Sequence, residues 1–145
     1  MAQRARSNDR RQGRAASKQQ REAERKFEIE MLTLQISELR GKLTEVDEQR
    51  EALELPNLKG KDVEHSHYGQ GTVTEQKDAV LTIEYANGVR KQKLPLVIAS
   101  GCVKIDDREA TELCQRISDL ETEQTRLRKE IQYCESAIAD LQKKG

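Results

Sequence analysis

Residues 27–55 read FEIEMLTLQISELRGKLTEVDEQREALEL. In this stretch Ile29, Leu32, Ile36, Leu39, Leu43, Val46, Arg50 and Leu53 recur at alternating steps of three and four. That spacing keeps one stripe of an α-helix facing a partner and asks for a left-handed supercoil. A second run has the same spacing: Ala110, Leu113, Ile117, Leu120, Gln124, Leu127, Ile131, Cys134, Ile138 and Leu141. In an antiparallel pair, facing seam residues have numbers with a constant sum. Sums of 156, 163 and 170 all match a positions to d positions here. The value 163 is expected, because it brings 54–56 and 106–108 together; it sets Leu53 against Ala110, Arg50 against Leu113, Leu39 against Gln124 and Ile29 against Cys134. Each buried aliphatic contributes roughly 1.5–3 kcal/mol, enough in sum to offset ordering of two helices.

Working outward, Pro56-Asn57 stops the first helix near Leu55. Upstream, Ser17-Lys-Gln-Gln20 has capping-box spacing and predicts a start at Ser17. Residues 1–16 (MAQRARSNDRRQGRAA) are too polar to bury a core and are expected as a disordered basic arm. The formal net charge of zero hides an asymmetry: residues 1–26 hold nine Lys/Arg against three Asp/Glu, so the rest is acidic. Such an arm, through Arg4, Arg6, Arg10, Arg11 and Arg14, fits phosphates or another polyanion. A solvated tail explains it equally well. Off the seam lie Phe27, Met31 and Leu34, an apolar surplus that suits a homodimer.

Between the helices, over 58–105, the apolar period changes from 3.5 to 2. Strands are expected near 61–66, 71–77, 79–86, 89–94 and 102–105. Asn87-Gly88 marks a tight hairpin turn between Val80–Ile83 and Val89–Leu94. Val63/His65, Val73, Leu81/Ile83/Tyr85 and Leu94 give one inward face per strand, as a small closed barrel requires. Asp106 or Asp107 caps the second helix, which runs to about Lys143. The domain reading is therefore 1–16 arm, 17–55 helix one, 58–105 barrel and 106–143 helix two. The fold class is α+β: an antiparallel coiled-coil hairpin with a five-stranded barrel at its tip.

The segment Val63-Glu-His65-Ser-His-Tyr68-Gly69-Gln-Gly71-Thr-Val73, followed by an apolar strand, Tyr85, Gly88 and Lys91, resembles the Tudor-like, SH3-like barrel at the C-terminus of UvrD/PcrA-type DNA helicases. The resemblance covers residues 61–105 and none of the helicase motor. It implies a protein-docking barrel of the kind that engages RNA polymerase. The matching positions are mostly fold-determining, and similar barrels bind peptides, RNA or DNA, so the partner stays open. The expected docking rim is Tyr68, Gln70, Tyr85, Arg90 and Lys91. Lys77, Arg90, Lys91 and Lys93 form a modest basic patch. With only Tyr68 and Tyr85 as aromatics, an aromatic cage for methyl-lysine is not expected.

Charged residues make up 36% of the chain against 34% hydrophobic, and one Phe and no Trp leave little for a deep pocket. There is no phosphate loop, hydrolase elbow or paired-carboxylate pocket, so catalysis is not expected. His65-x-His67 has no third ligand at suitable spacing; no metal and no cofactor are expected. Cys102, Cys114 and Cys134 are an odd set with helical and strand positions, reading as small apolar fillers in a reducing compartment. No apolar run reaches the ~20 residues that span a bilayer, and the chain is read as cytoplasmic. The functional expectation is a non-enzymatic adaptor whose barrel docks a protein in DNA or transcription machinery. The alternatives are a self-associating structural coiled-coil protein and a direct DNA- or RNA-binding protein.

Overall fold

Two long helices flank a small antiparallel sheet in sequence. The computed structural model describes residues 2–143, with side chains from Ser17 onward. Helix α1 spans Ala2–Glu51 and α3 spans Arg108–Lys143; between them come β1 (Asp62–His65), β2 (Gly69–Lys77), β3 (Val80–Tyr85), β4 (Gly88–Lys93), the short helix α2 (Leu96–Ala99) and β5 (Val103–Ile105). Residues 2–16, expected as a disordered arm, have helical backbone as the start of α1, and their side chains, those of the arginines included, lie outside the ones described. Ser17 is an interior helical residue rather than a cap, its carbonyl accepting from Arg21 Nε at 3.4 Å. The chain forms two compact units, residues 1–43 with 127–145, and residues 44–126, so the division falls inside both helices.

In the first unit, α1 buries Ile36 and Leu39, and α3 buries Leu127, Ile131 and Cys134. All five belong to the expected seams. Arg40 Nη2 donates to Glu135 Oε1 at 3.0 Å beside them.

In the second unit, the end of α1 and the start of α3 run antiparallel. Arg50 Nε donates to Glu121 Oε1 at 3.0 Å, and Gln124 Nε2 to Asp47 Oδ1 at 2.7 Å. These pairs overturn the expected register of 163, which sets Arg50 opposite Leu113 and Leu39 opposite Gln124. Both pairs sum to 171, one heptad beyond the expected alignment and next to the allowed value of 170. The physical reason lies in the first turns of α3. Ala110 and Cys114, one turn apart, are buried in the core of the sheet module with Leu58, Val63 and Val103, and so are not available to a helix partner. Helix α1 meanwhile ends at Glu51, short of Leu55: the Leu53 N–H donates to the Arg50 carbonyl at 3.2 Å, and Arg50 Nη1 donates to the Leu53 carbonyl at 3.0 Å just beyond the helix.

Asp107 starts α3. Its Oδ1 accepts the Ala110 N–H at 3.0 Å and its Oδ2 accepts Lys61 Nζ at 2.7 Å. The lysine bond first, then the helix amide, hold this carboxyl below its ordinary range.

The five strands form one antiparallel sheet in the order β4-β3-β2-β1-β5. The sheet is open, its pairing ending at β4 and β5, where a closed barrel was expected. The strand limits agree with the expected ones to within about two residues. Tyr85 pairs with Gly88, so the hairpin loop is Ala86-Asn87 with Gly88 following at φ 131°, one residue earlier than an Asn-Gly turn. A bulge between Val73 and Glu75 resets the alternation of β2 and turns Gln76 toward the linker. There Gln76 Oε1 accepts from Leu58 N at 2.7 Å and its Nε2 donates to Pro56 O at 2.9 Å, stapling residues 56–58 to β2. Leu58, Val73, Leu81, Ile83, Leu94, Ile98 and Val103 fill the core above Ala110 and Cys114. Helix α2, unforeseen in the sequence, supplies Ile98 to that core.

Candidate docking site

The site grows from the end of β1. Strand alternation sends Val63 and His65 inward, and His65 is the one buried polar residue in the described core. Its Nδ1 accepts two backbone hydrogen bonds, from His67 N at 2.9 Å and Tyr68 N at 3.2 Å, which shape the turn leading to β2. Nδ1 is therefore an acceptor and the imidazole neutral. Burial first, then the neighbouring His67 and Arg90, push its pKa below the ordinary 6.5.

Four side chains then stack in order. The Tyr85 ring meets His65 edge-on at 5.7 Å; His65 lies against Tyr68 at 4.3 Å; and the Arg90 guanidinium sits 3.8 Å from the centre of the Tyr68 ring. Tyr85 also approaches Tyr68 at 5.4 Å, and its hydroxyl donates to Gln92 Oε1 at 2.7 Å. Gly71 makes room for the stack. A Cβ there would lie 2.6 and 2.8 Å from Tyr85 ring carbons and 2.9 Å from the Glu84 carbonyl oxygen. Burial, helped by Tyr68 and opposed by Arg90, raises the Tyr85 pKa.

The five expected rim residues do not form one surface. Tyr68 is half-buried and Arg90 exposed, and these two are in contact. Tyr85 is a core residue at 4% exposure, beneath the site rather than on its rim. Arg90 pairs across the strands with buried Ile83 and so faces inward, while Lys91 pairs with Thr82 and faces the other way. Lys93 and Lys77, both paired with Val80, share the face of Lys91, so Arg90 is not part of that basic patch. Gln70 pairs with Glu64 and lies in a shallow polar groove with Asp62, Thr72, Glu84 and Lys104 on the same outer face. His65 as the central plate of the stack, and Gln92 as the Tyr85 partner, were not picked out as site residues from sequence. The signal for Gln92 was available: it stands two residues after Arg90 and so shares its face.

Chemically, the stack presents a fixed aromatic edge beside a cation. Among the described residues, no carboxylate forms a salt bridge with Arg90. No three His, Cys, Asp or Glu side chains among the described residues gather as a metal site. No described helix is long and apolar enough to cross a membrane. Comparison with protein families, with characterised proteins and with solved structures finds no match.

Proposed function

We propose that the protein is a non-enzymatic adaptor. In this reading the open five-stranded sheet is an SH3-like, Tudor-like module carried at the tip of a hairpin in which α1 and α3 wind as an antiparallel coiled coil. The module docks a protein segment through the ledge formed by Tyr68 and Arg90, and the basic residues 1–16 contact a polyanion.

One observation carries this reading: Arg90 held 3.8 Å over Tyr68, exposed and with no carboxylate ion pair among the described residues. An exposed cation–π pair contributes about 0.5–1 kcal/mol, enough to order the side chain without burying its charge. A segment with an acidic side chain next to an apolar one satisfies both halves of the ledge. Arginine and tyrosine are also the residue types that dominate protein–protein hot spots. The resemblance to helicase C-terminal barrels supports a partner in DNA or transcription machinery.

The test is a crosslinking pull-down with the full chain, comparing Tyr68→Ala and Arg90→Ala with the unaltered protein. Each substitution is expected to reduce partner recovery by about tenfold, as loss of a hot-spot residue does, while helicity by circular dichroism is unchanged. Recovery equal to that of the unaltered chain removes the ledge from the account.

A further inference from the structure

Helix α1 carries a second apolar face. Phe27, Met31 and Leu34 are 61%, 50% and 60% exposed, and with Glu24 and Glu38 they repeat the three-four spacing of a seam. At about 100° per residue, this stripe lies about 150° around the helix from Ile29, Leu32, Ile36 and Leu39. Single exposed apolar side chains need no explanation, but three in seam register on one face do.

We propose that this stripe pairs with the same stripe of a second copy, antiparallel, in the register where facing residue numbers sum to 65. Charge complementarity chooses this occupant and this register. In that alignment Met31 faces Leu34 of the second copy and Leu34 faces its Met31, while each Phe27 packs on the methylenes of the opposing Glu38. The flanking positions follow a rule visible in the molecule itself. Arg40–Glu135, with numbers summing to 175, flanks seams that sum to 170, an offset of five. The same offset from 65 sets Glu28 against Lys42 of the other copy, twice per dimer by symmetry, against one repulsive contact on the opposite flank, where Glu30 meets its own copy at a sum of 60. Neither Glu28 nor Lys42 forms a salt bridge among those found in the described residues.

The competing alignments lack this match. One heptad down, at 58, the same offset sets Arg21 against Lys42 twice and leaves Glu28 opposite the neutral Gln35. In a parallel pair, Glu24 and Glu38 each meet their own copy in the seam. Like charges facing one another oppose association. A contact of two heptads is small for a specific interface, so the dimer is weak. This inference is independent of the docking ledge, which lies on the sheet module.

The experiment is sedimentation equilibrium of the full chain across a series of concentrations reaching well into the range where weak, small interfaces associate. A monomer–dimer equilibrium is expected. Glu28→Lys and Lys42→Glu are each expected to weaken it about tenfold, since two attractive exposed pairs become repulsive, and the double variant E28K/K42E to restore it. Leu34→Glu abolishes the dimer, with helicity checked by circular dichroism. A chain that stays monomeric at every concentration overturns the proposal. So does a dimer that responds equally to both single swaps and is not restored by the double one.

Discussion

Gln124 donates its side-chain amide to Asp47 at 2.7 Å, and the bond marks how the ends of α1 and α3 are aligned. The residue numbers sum to 171, next to the seam sum of 170; Arg50 with Glu121 gives the same value. At 163 Gln124 would lie eight residues, about 12 Å, away from Asp47 at 1.5 Å per residue. The bond also relieves a cost. Gln124 is a polar residue in a seam position, and a half-buried amide without a partner would lose about 1–3 kcal/mol.

The first unit allows the register to be tested chemically. At a sum of 170, Ile36 lies opposite the native Cys134; at 163, Ile29 does. Both Ile36 and Cys134 are buried on the facing stripes. An Ile36→Cys variant in a Cys102→Ser background is expected to form an intramolecular disulfide with Cys134 under mild oxidation, read by mass spectrometry of the tryptic map. Ile29→Cys is expected to form none. The reverse pattern would restore the 163 alignment.

Gly71→Ala tests the aromatic stack. The added methyl meets two carbons of a buried ring and a backbone oxygen, all inside 3.0 Å, and none of them is the free end of a flexible chain. Overpacking of this kind costs about 1–3 kcal/mol. Urea unfolding is expected to show a midpoint lowered accordingly. A midpoint equal to that of the unaltered chain would mean that Tyr85 has room to withdraw.

His65 makes stability depend on pH in a definable direction. Its pKa in the folded protein is depressed, so below the ordinary 6.5 the unfolded chain binds more protons than the folded one. The stabilisation is therefore fully present above that value and declines as the pH falls through it. Protonation at Nδ1 would also break both amide bonds to His67 and Tyr68. Thermal melts from pH 8 to pH 5 are expected to show falling midpoints. In His65→Ala this slope flattens, at a cost of about 1–3 kcal/mol at pH 8 from the unpaired amides. An unchanged slope in that variant would assign the pH dependence elsewhere.

The parts of this fold legible in the sequence are those governed by short periods. Alternation placed β1 to β5 because each strand has one wet face, and the three-four spacing found both seams because burial follows it. The register was not legible, since any shift by one heptad preserves a–d pairing. What selects among the shifts is the capture of Ala110 and Cys114 by the sheet core, a long-range event. The hairpin turn moved by one residue because Tyr85 pairs with Gly88. Of the expected rim residues, Tyr68 and Arg90 meet, a contact across the sheet that no short period encodes. Lys91 falls on the opposite face from Arg90 because alternation sends strand neighbours to opposite faces, and Tyr85 lies in the core because it shares the inward face of Leu81 and Ile83.

The cysteines give the last prediction, because their environments differ sharply. Cys102 is exposed, whereas Cys114 and Cys134 are buried. Burial raises the Cys114 thiol to about 11, leaving almost no thiolate at neutral pH. Since thiolate is the reacting species, an aromatic disulfide reagent at pH 8 is expected to modify one thiol per native chain rapidly, and all three in denaturant. Cys102→Ser should remove the fast phase. A second fast thiol that disappears in Cys114→Ser would show that the start of α3 opens from the sheet core on the timescale of the reaction. The core packing around Ala110 and Cys114 would then be looser than their burial requires.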